Sequence, residues 1–428
     1  MTAFRFLTAG ESHGPTLGAT VEGVPAGLVL TEDAIAIDLA RRQKGYGRGA
    51  RQAIEHDRAE ILGGVRHGRT LGSPILLLVR NRDWENWTRV MQVGPLSDLE
   101  GAELAAAAEG GNKRATPVTR VRPGHADLAG ALKYGFNDVR NVLERASARE
   151  TAARVAAGAV ARAFLRELGI EVWSFTAEVG GVALDPANAT RSREEADASP
   201  LRCPDPEAET AMIARIDEAR SAGDTVGGVF EVVAHGLPIG LGSYVHWDRR
   251  LDAALAGAVM SINIVKGVEF GLGFEQTRRF GSKVHDVIEG RGDAGRWVHR
   301  SNNAGGLTGG VTNGEPLVVR GAVKPISTLA RPLPSADLIT GESVDKAHYE
   351  RSDISVVPAA GVVGEAMVML TLAAFIAEKF GGDTMDDVRA SMATYQTRIS
   401  TAPQAPVAGG GQPHGLAGTD EAGSGGDD

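Results

Sequence analysis

The sequence predicts an α/β fold: one large mixed unit, followed by a short tail with little to bury. Three observations carry that reading. Helical and strand-like segments alternate irregularly, with neither an internal repeat nor a clean linker between them. The 428 residues are 43% hydrophobic and 23% charged, a globular composition long enough to bury a substantial core. From about Thr401 the chain is mostly Pro, Gly, Ala, Ser and Asp, which cannot offset the entropy of ordering. Residues 1–400 are therefore read as a single domain and 401–428 as a disordered tail.

The elements follow in order. Phe4 to Thr8 and Leu17 to Val24 read as strands around the loop TAGESHGPTLG. Thr31 caps a helix with Glu32 and Asp33 in its first turn, and Ile35 and Leu39 mark its buried face. That helix runs into the Gly- and Arg-rich ARRQKGYGRGARQ. Glu60 to Val65 and Pro74 to Val79 read as strands, NRDWENW as a polar turn, and Gly94 to Arg120 as an exposed insertion. From about Ala148 an Ala/Arg/Glu-rich helix runs until Gly169 stops it. Ile170 to Val182 is strand-like and Asp185 to Asp205 loop-like. Pro206 to Ala222 is a helix, Gly228 to His235 a strand, and Leu251 to Val259 a helix. SNNAGGLTGGVTNG is a glycine-rich loop before the strand Pro316 to Ala322. Val362 to Phe380 and Met385 to Tyr395 close the domain as helices. The apolar run Ala366 to Ala377 falls short of the roughly 20 residues that cross a bilayer, so it reads as a core helix and no membrane contact is expected.

The net charge of −9 argues against a global field for nucleic acid. The single cysteine, Cys203, excludes an intrachain disulfide and a CxxC redox motif, which fits a reducing compartment. No basic segment precedes an apolar core at the N-terminus, so a cytoplasmic location is expected. GxxxxGK[ST], HExxH and GxSxG are absent, and no metal is expected. GYGRG, Gly45 to Gly49, is no dinucleotide fingerprint, because it does not follow a strand and open a helix.

What recurs is a cation beside glycine or a small polar residue. Arg42 and Arg48 flank QKGYG; Arg120 and Arg122 precede PGHAD; Arg145 and Arg149 lie in ERASARET; Lys324 opens KPIST; Arg351 opens RSD. Each alone is an ordinary solvated side chain. Together, in an acidic chain, they point to a local anion site. His13 and His125 each sit among small residues after a Gly, where imidazoles can serve as acids near neutral pH or simply decorate a turn. Asp353 is a candidate base or orienting carboxylate; otherwise it pairs with Arg351 or caps a turn.

These strings, with KGVEFG, NAGGLTGGVTNG and RSDISVVPAAGVVGEAM, resemble the chorismate synthase family, in the family's order, from Phe4 to about Phe380. The resemblance implies a β-α-β sandwich, which periodicity alone does not supply, and a homotetramer. It implies a carbon–oxygen lyase that removes phosphate from 5-enolpyruvylshikimate 3-phosphate by 1,4-anti elimination, giving chorismate for the aromatic amino acids. Reduced FMN is the implied cofactor, with NADPH acting only indirectly as reductant. By the same resemblance His13, His125 and Asp353 are catalytic. Arg145, Ala146, Ser147, Asn263, Ile264, Gly309, Lys324, Pro325, Ile326, Ser327, Thr328 and Arg351 hold the flavin. Ser12, Arg42, Arg48 and Arg122 meet the substrate or NADP. Asn263-Ile264 departs from the Gln-Ala common among relatives, shortening the amide's reach and adding bulk. A bifunctional enzyme that reduces its own flavin, and a non-catalytic phosphometabolite sensor, are the competing readings.

Overall fold

A computed structural model of the chain describes residues 4–49, 57–95, 116–188, 192–292, 296–350 and 353–401. Two antiparallel sheets enclose a layer of helices. The first sheet contains β1 (Arg5–Ala9), β2 (Thr16–Glu22), β3 (Ala59–Gly63) and β4 (Ile75–Arg80), ordered β1-β2-β4-β3. The second contains β5 (Glu171–Val179), β6 (Val182–Ala183), β7 (Gly228–His235), β8 (Val265–Phe270) and β9 (Leu317–Val323), ordered β8-β9-β7-β5-β6.

Alternation explains the first sheet. Leu17, Ala19 and Val21 of β2 pair in register with Val79, Leu77 and Ile75 of β4, and all are buried. A period of two thus gives this sheet one apolar face. That face is covered by α3 (Thr151–Arg166), which meets β1, β2 and β4. The second sheet is covered by α6 (Val357–Phe380), which meets β5, β7 and β9. Helices α3 and α6 also pack on each other, with α1 (Glu32–Gln43) beside both and α5 (Leu251–Met260) against α6. The expected β-α-β sandwich is therefore present, and one hydrophobic cluster runs through both sheets and the helices between them.

Helix α3 is Ala-rich and buried nearly all round, as its central position requires. Small residues set the distance to α6: a Cβ added at Gly158 would lie 2.4 Å from the Cβ of Ala366. Helix α6 is long and apolar enough to cross a membrane by composition, but here it is packed inside the sandwich. It also carries one charge into that interior. Glu365, 0% exposed, accepts from Arg41 at 2.7 and 2.8 Å, from Ser174 Oγ at 2.7 Å, and from Arg162 and Arg202. Burial opposes ionisation there, but the surrounding guanidiniums outweigh it and hold the carboxyl well below the usual range. This cluster ties α1, α3 and β5 to α6.

Most expected elements appear within a residue or two. Helix α1 has Thr31 as its N-cap, and α4 spans Pro206–Ala222 with Asp205 capping it and Gly223 ending it. The departures have local causes. Helix α6 starts at Val357 rather than Val362, because Pro358 fits the first turn, where its missing N–H has no intrahelical partner. The stretch read as loop from Asp185 to Asp205 contains a helix, Arg193–Ala198, built on a Ser192/Glu195 capping box. Helix α2 (Asp127–Tyr134) begins at the Asp of PGHAD. The glycine-rich loop folds into a hairpin, Leu307–Thr308 with Val311–Thr312. Within the stretch read as an exposed insertion, Val118 is buried beside Val121, Val139 and Leu143. Residues 96–115 of that stretch and the tail from 402 lie outside the described residues. Helix α7 (Met385–Ser400) runs past the expected end at Tyr395.

Candidate active site

The loop after β1 must turn sharply to bring His13 back over the first sheet. Gly10 makes that turn at φ +100, where an added Cβ would lie 2.4 Å from the Thr16 carbonyl. His13 then lines a cleft of about 310 Å³. The end of α1, the segments before α2, α3 and α6, the start of β8 and the end of β9 supply the other walls.

Each imidazole is held by its own carboxylate. His13 Nδ1 lies 2.9 Å from both oxygens of Glu144, which also accepts from the His13 backbone N–H at 2.8 Å. The His13 ring stacks on Trp87 with centroids 3.8 Å apart. His125 Nδ1 lies 2.5 Å from Asp127 Oδ1. Arg122 binds the same carboxylate through Nε at 2.8 Å and Nη2 at 3.1 Å. Burial opposes ionisation of Asp127, but hydrogen bonds from His125 and Arg122 outweigh it and hold the carboxyl well below its usual range.

The cations are recessed and braced. Arg42 donates to Thr151 Oγ1 at 2.9 Å, to the Ala148 carbonyl at 3.0 Å and to Asp57 at 3.3 Å. Arg149 reaches the other oxygen of Asp57 at 3.1 Å. Arg48 pairs with Asp353 at 3.0 Å, and Gly49 N–H donates to the same carboxylate at 2.6 Å. Burial pushes Arg48 below its ordinary value, opposed by Asp353. Lys324 donates to the Gly124 carbonyl at 2.7 Å; burial, then the like charges of Lys266 and Arg122, lower its pKa. Ser147 donates to Ser12 Oγ at 3.2 Å and caps the short turn that leads into α3.

Most sequence-nominated residues converge here. Ser12, His13, Arg42, Arg48, Arg122, His125, Ala146, Ser147, Asn263, Ile264, Lys324, Ile326, Ser327, Thr328 and Asp353 all line the cleft. Asn263 Nδ2 donates to the Ala146 carbonyl at 3.0 Å, so the shorter amide braces the flavin-nominated turn while Ile264 adds apolar wall. Three nominees fall elsewhere. Arg145 points behind the wall, donating to the Thr8 and Gly10 carbonyls at 3.1 and 3.2 Å. Gly309 lies in the 307–312 hairpin near Tyr244, and Pro325 is skipped between Lys324 and Ile326. Arg351 lies outside the described residues; the partner found for Asp353 is Arg48.

Sequence reasoning did not nominate Glu144, Trp87, Asp127 or Glu350. Only Asp127 had a local signal, a carboxylate two residues after the histidine in GHAD. Glu350 lines the cleft 3.5 Å from Arg122. Burial raises its pKa, but His348 and Arg122 outweigh that and lower it. Among the described residues no group of His, Cys, Asp and Glu is arranged to hold a metal ion.

The donor set fits a polyanion and a flat aromatic group together. Arginines, Lys324 and the Ser12, Ser147, Ser327 and Thr328 hydroxyls offer anion contacts. Leu143, Ile264, Ile326 and Val356 offer apolar surface.

Comparison with known proteins agrees along the chain. A family profile described as chorismate synthase matches residues 4–377. The chain is 57% identical over 397 residues to a chorismate synthase of Rubrobacter xylanophilus, covering 92% of this chain and 97% of that protein. It is 53% identical over 402 residues to one of Streptomyces coelicolor, covering 92% and 98%. A solved structure described as a crystal structure of chorismate synthase aligns with a TM-score of 0.73 at 43% identity, over 93% of this chain and 98% of that one.

Proposed function

The chain belongs to the chorismate synthase family, and from that premise we propose that it removes phosphate from 5-enolpyruvylshikimate 3-phosphate by 1,4-anti elimination, giving chorismate, with reduced FMN as cofactor. It would thus act as a carbon–oxygen lyase in the route to the aromatic amino acids. One observation carries the reading: two imidazoles, each bonded to a buried carboxylate, line one cleft with Arg42, Arg48, Arg122 and Lys324.

The chemistry needs what these groups offer. The carbon–oxygen bond breaks with its electron pair leaving on phosphate, and a ring proton leaves as the new double bond forms. The substrate's phosphate and two carboxylates meet the braced cations, which need little reorganisation as charge shifts. His13 and His125 take the two acid roles, one toward the departing phosphate and one toward the flavin. Reduced FMN would supply transient electron density and a site for the ring proton, in a reaction with no net redox change. Asp353, fixed by Arg48 and the Gly49 N–H, would assist that proton transfer. Lys324, Ser327, Thr328, Ser147 and Asn263 would hold the flavin, with Leu143, Ile264, Ile326 and Val356 offering apolar surface to it. The same reading makes the protein a cytoplasmic homotetramer, with NADPH only an indirect source of reducing power.

The test is anaerobic. Purified protein, the substrate and FMN reduced by dithionite should yield chorismate absorbance and free phosphate in equal amounts. Substrate binding with release of neither would overturn the lyase reading and favour a sensor. Aerobic reaction mixtures with oxidised FMN and NADPH in place of dithionite should stay silent; turnover there would show that the protein reduces its own flavin.

A further inference from the structure

We propose that Glu144 and Trp87 are positioning residues for His13, fixing its tautomer and the plane of its ring; the proposal rests on the acid role given to His13 above.

Glu144 is 1% exposed and grips the histidine loop with both main chain and side chain. Its carbonyl accepts from the Ser12 N–H at 3.0 Å. Its carboxylate accepts from the His13 N–H at 2.8 Å and faces Nδ1 at 2.9 Å. A carboxylate only accepts, so Nδ1 must carry the hydrogen. The opposite nitrogen, Nε2, is then turned away from Glu144, and His13 lines the cleft. This tautomer is set by a residue 131 positions distant in sequence.

A hydrogen bond alone leaves the ring able to swing about it. Trp87 removes that freedom by stacking at 3.8 Å with an interplanar angle of 20°. Trp87 is itself fixed, because its Nε1 donates to Asp83 Oδ2 at 2.9 Å and the Arg140 guanidinium lies 5.5 Å from its ring centroid. Arg140 also stands 3.6 Å from Glu144 Oε1. One cation thus braces both supports of the histidine.

A purely structural carboxylate would neutralise Arg140 and do no more. Glu144→Gln separates the cases. The amide keeps the shape, but it can present an N–H donor toward Nδ1 and so favour the other tautomer. Two readouts follow. The first is 15N solid-state NMR of histidine-labelled protein, with the signal identified by its loss in His13→Asn. Wild type should show Nδ1 protonated, and Glu144→Gln should shift the population toward Nε2. The second is turnover with reduced FMN: kcat should fall between about 10²- and 10⁴-fold, while KM stays within about twofold, as expected for an interaction that matters mainly in the reaction step. Trp87→Phe, which keeps a ring against His13, should stay close to wild type, and Trp87→Leu should lose roughly tenfold or more in kcat.

An unchanged tautomer in Glu144→Gln, or a kcat within about threefold of wild type, would overturn the proposal. Should that variant fail to fold, Glu144→Asp takes its place: it keeps a carboxylate with shorter reach, and retained Nδ1 protonation with reduced kcat supports positioning, whereas full kcat overturns it. Lack of turnover in wild type would sink the lyase reading alone, because the tautomer measurement does not depend on activity.

Discussion

Asp127 shows how much a single residue does in this cleft. Its carboxylate takes the His125 ring, the Arg122 side chain and the Arg122 backbone N–H together. Its pKa is depressed in the folded state, so its contribution to stability is present above the ordinary carboxylate value of 3.8 and is lost as pH falls below that toward the folded value. Asp127→Asn also leaves the buried Arg122 without this partner, which should cost about 3–5 kcal/mol at neutral pH. Urea unfolding at pH 7 and pH 3 checks both points: the gap between variant and wild type should be wide at pH 7 and narrower at pH 3. An equal gap at both would show that charge is not what Asp127 contributes. The histidines themselves were legible, because glycine and serine neighbours are an odd setting for a core imidazole. Their partners were less so. Glu144 reads as an ordinary acid just ahead of a helix, and Trp87 sits in a segment whose polar letters suggest only a turn. Folding over long sequence separations makes these pairs, and no local pattern records them.

At the level of elements, strong local signals reported themselves and weak ones did not. Thr31, Asp205 and Gly223 are side-chain or glycine punctuation, and the helices they bound were read closely. Helix α2 has Ala126 at its N-cap and no side-chain cap, so nothing in PGHAD announced it. The pairing order of the strands is a long-range property that periodicity cannot reveal; the family resemblance supplied the sandwich. The contact between α3 and α6 is one such long-range fact with a direct test. Gly158→Val forces a side chain into Ala366 and should destabilise the protein by about 1–3 kcal/mol. Adding Ala366→Gly should recover part of that loss in denaturant unfolding, since the two sites touch and their effects should not add. Strict additivity would mean that the helices relax apart instead.

Across the whole molecule, the interior and the cleft share a helix. Near the end of α1, Arg41 turns inward to Glu365 while Arg42 turns to the cleft, so the buried cluster holds the ligand-facing side chain in place. The cleft cations are set back and answered by acids: Arg42 and Arg149 by Asp57, Arg48 by Asp353, Arg122 by Asp127. The chain as a whole carries −9. Four arginines there share three acids, so only a small positive excess remains; beyond a few ångströms the −9 of the whole chain outweighs it, and an approaching polyanion meets a repulsive envelope before it finds any attraction. Encounter, rather than retention, is then the step that salt controls. Raising ionic strength from about 0.01 to 0.15 M shortens the screening length from about 30 to 8 Å. Stopped-flow association of the phosphorylated substrate should therefore quicken severalfold over that range, the reverse of a steered enzyme. A rate that falls with salt would mean that the cleft projects its charge into solvent after all. If it quickens, the protein gives up capture speed and gains a site whose charges are in place before the ligand arrives.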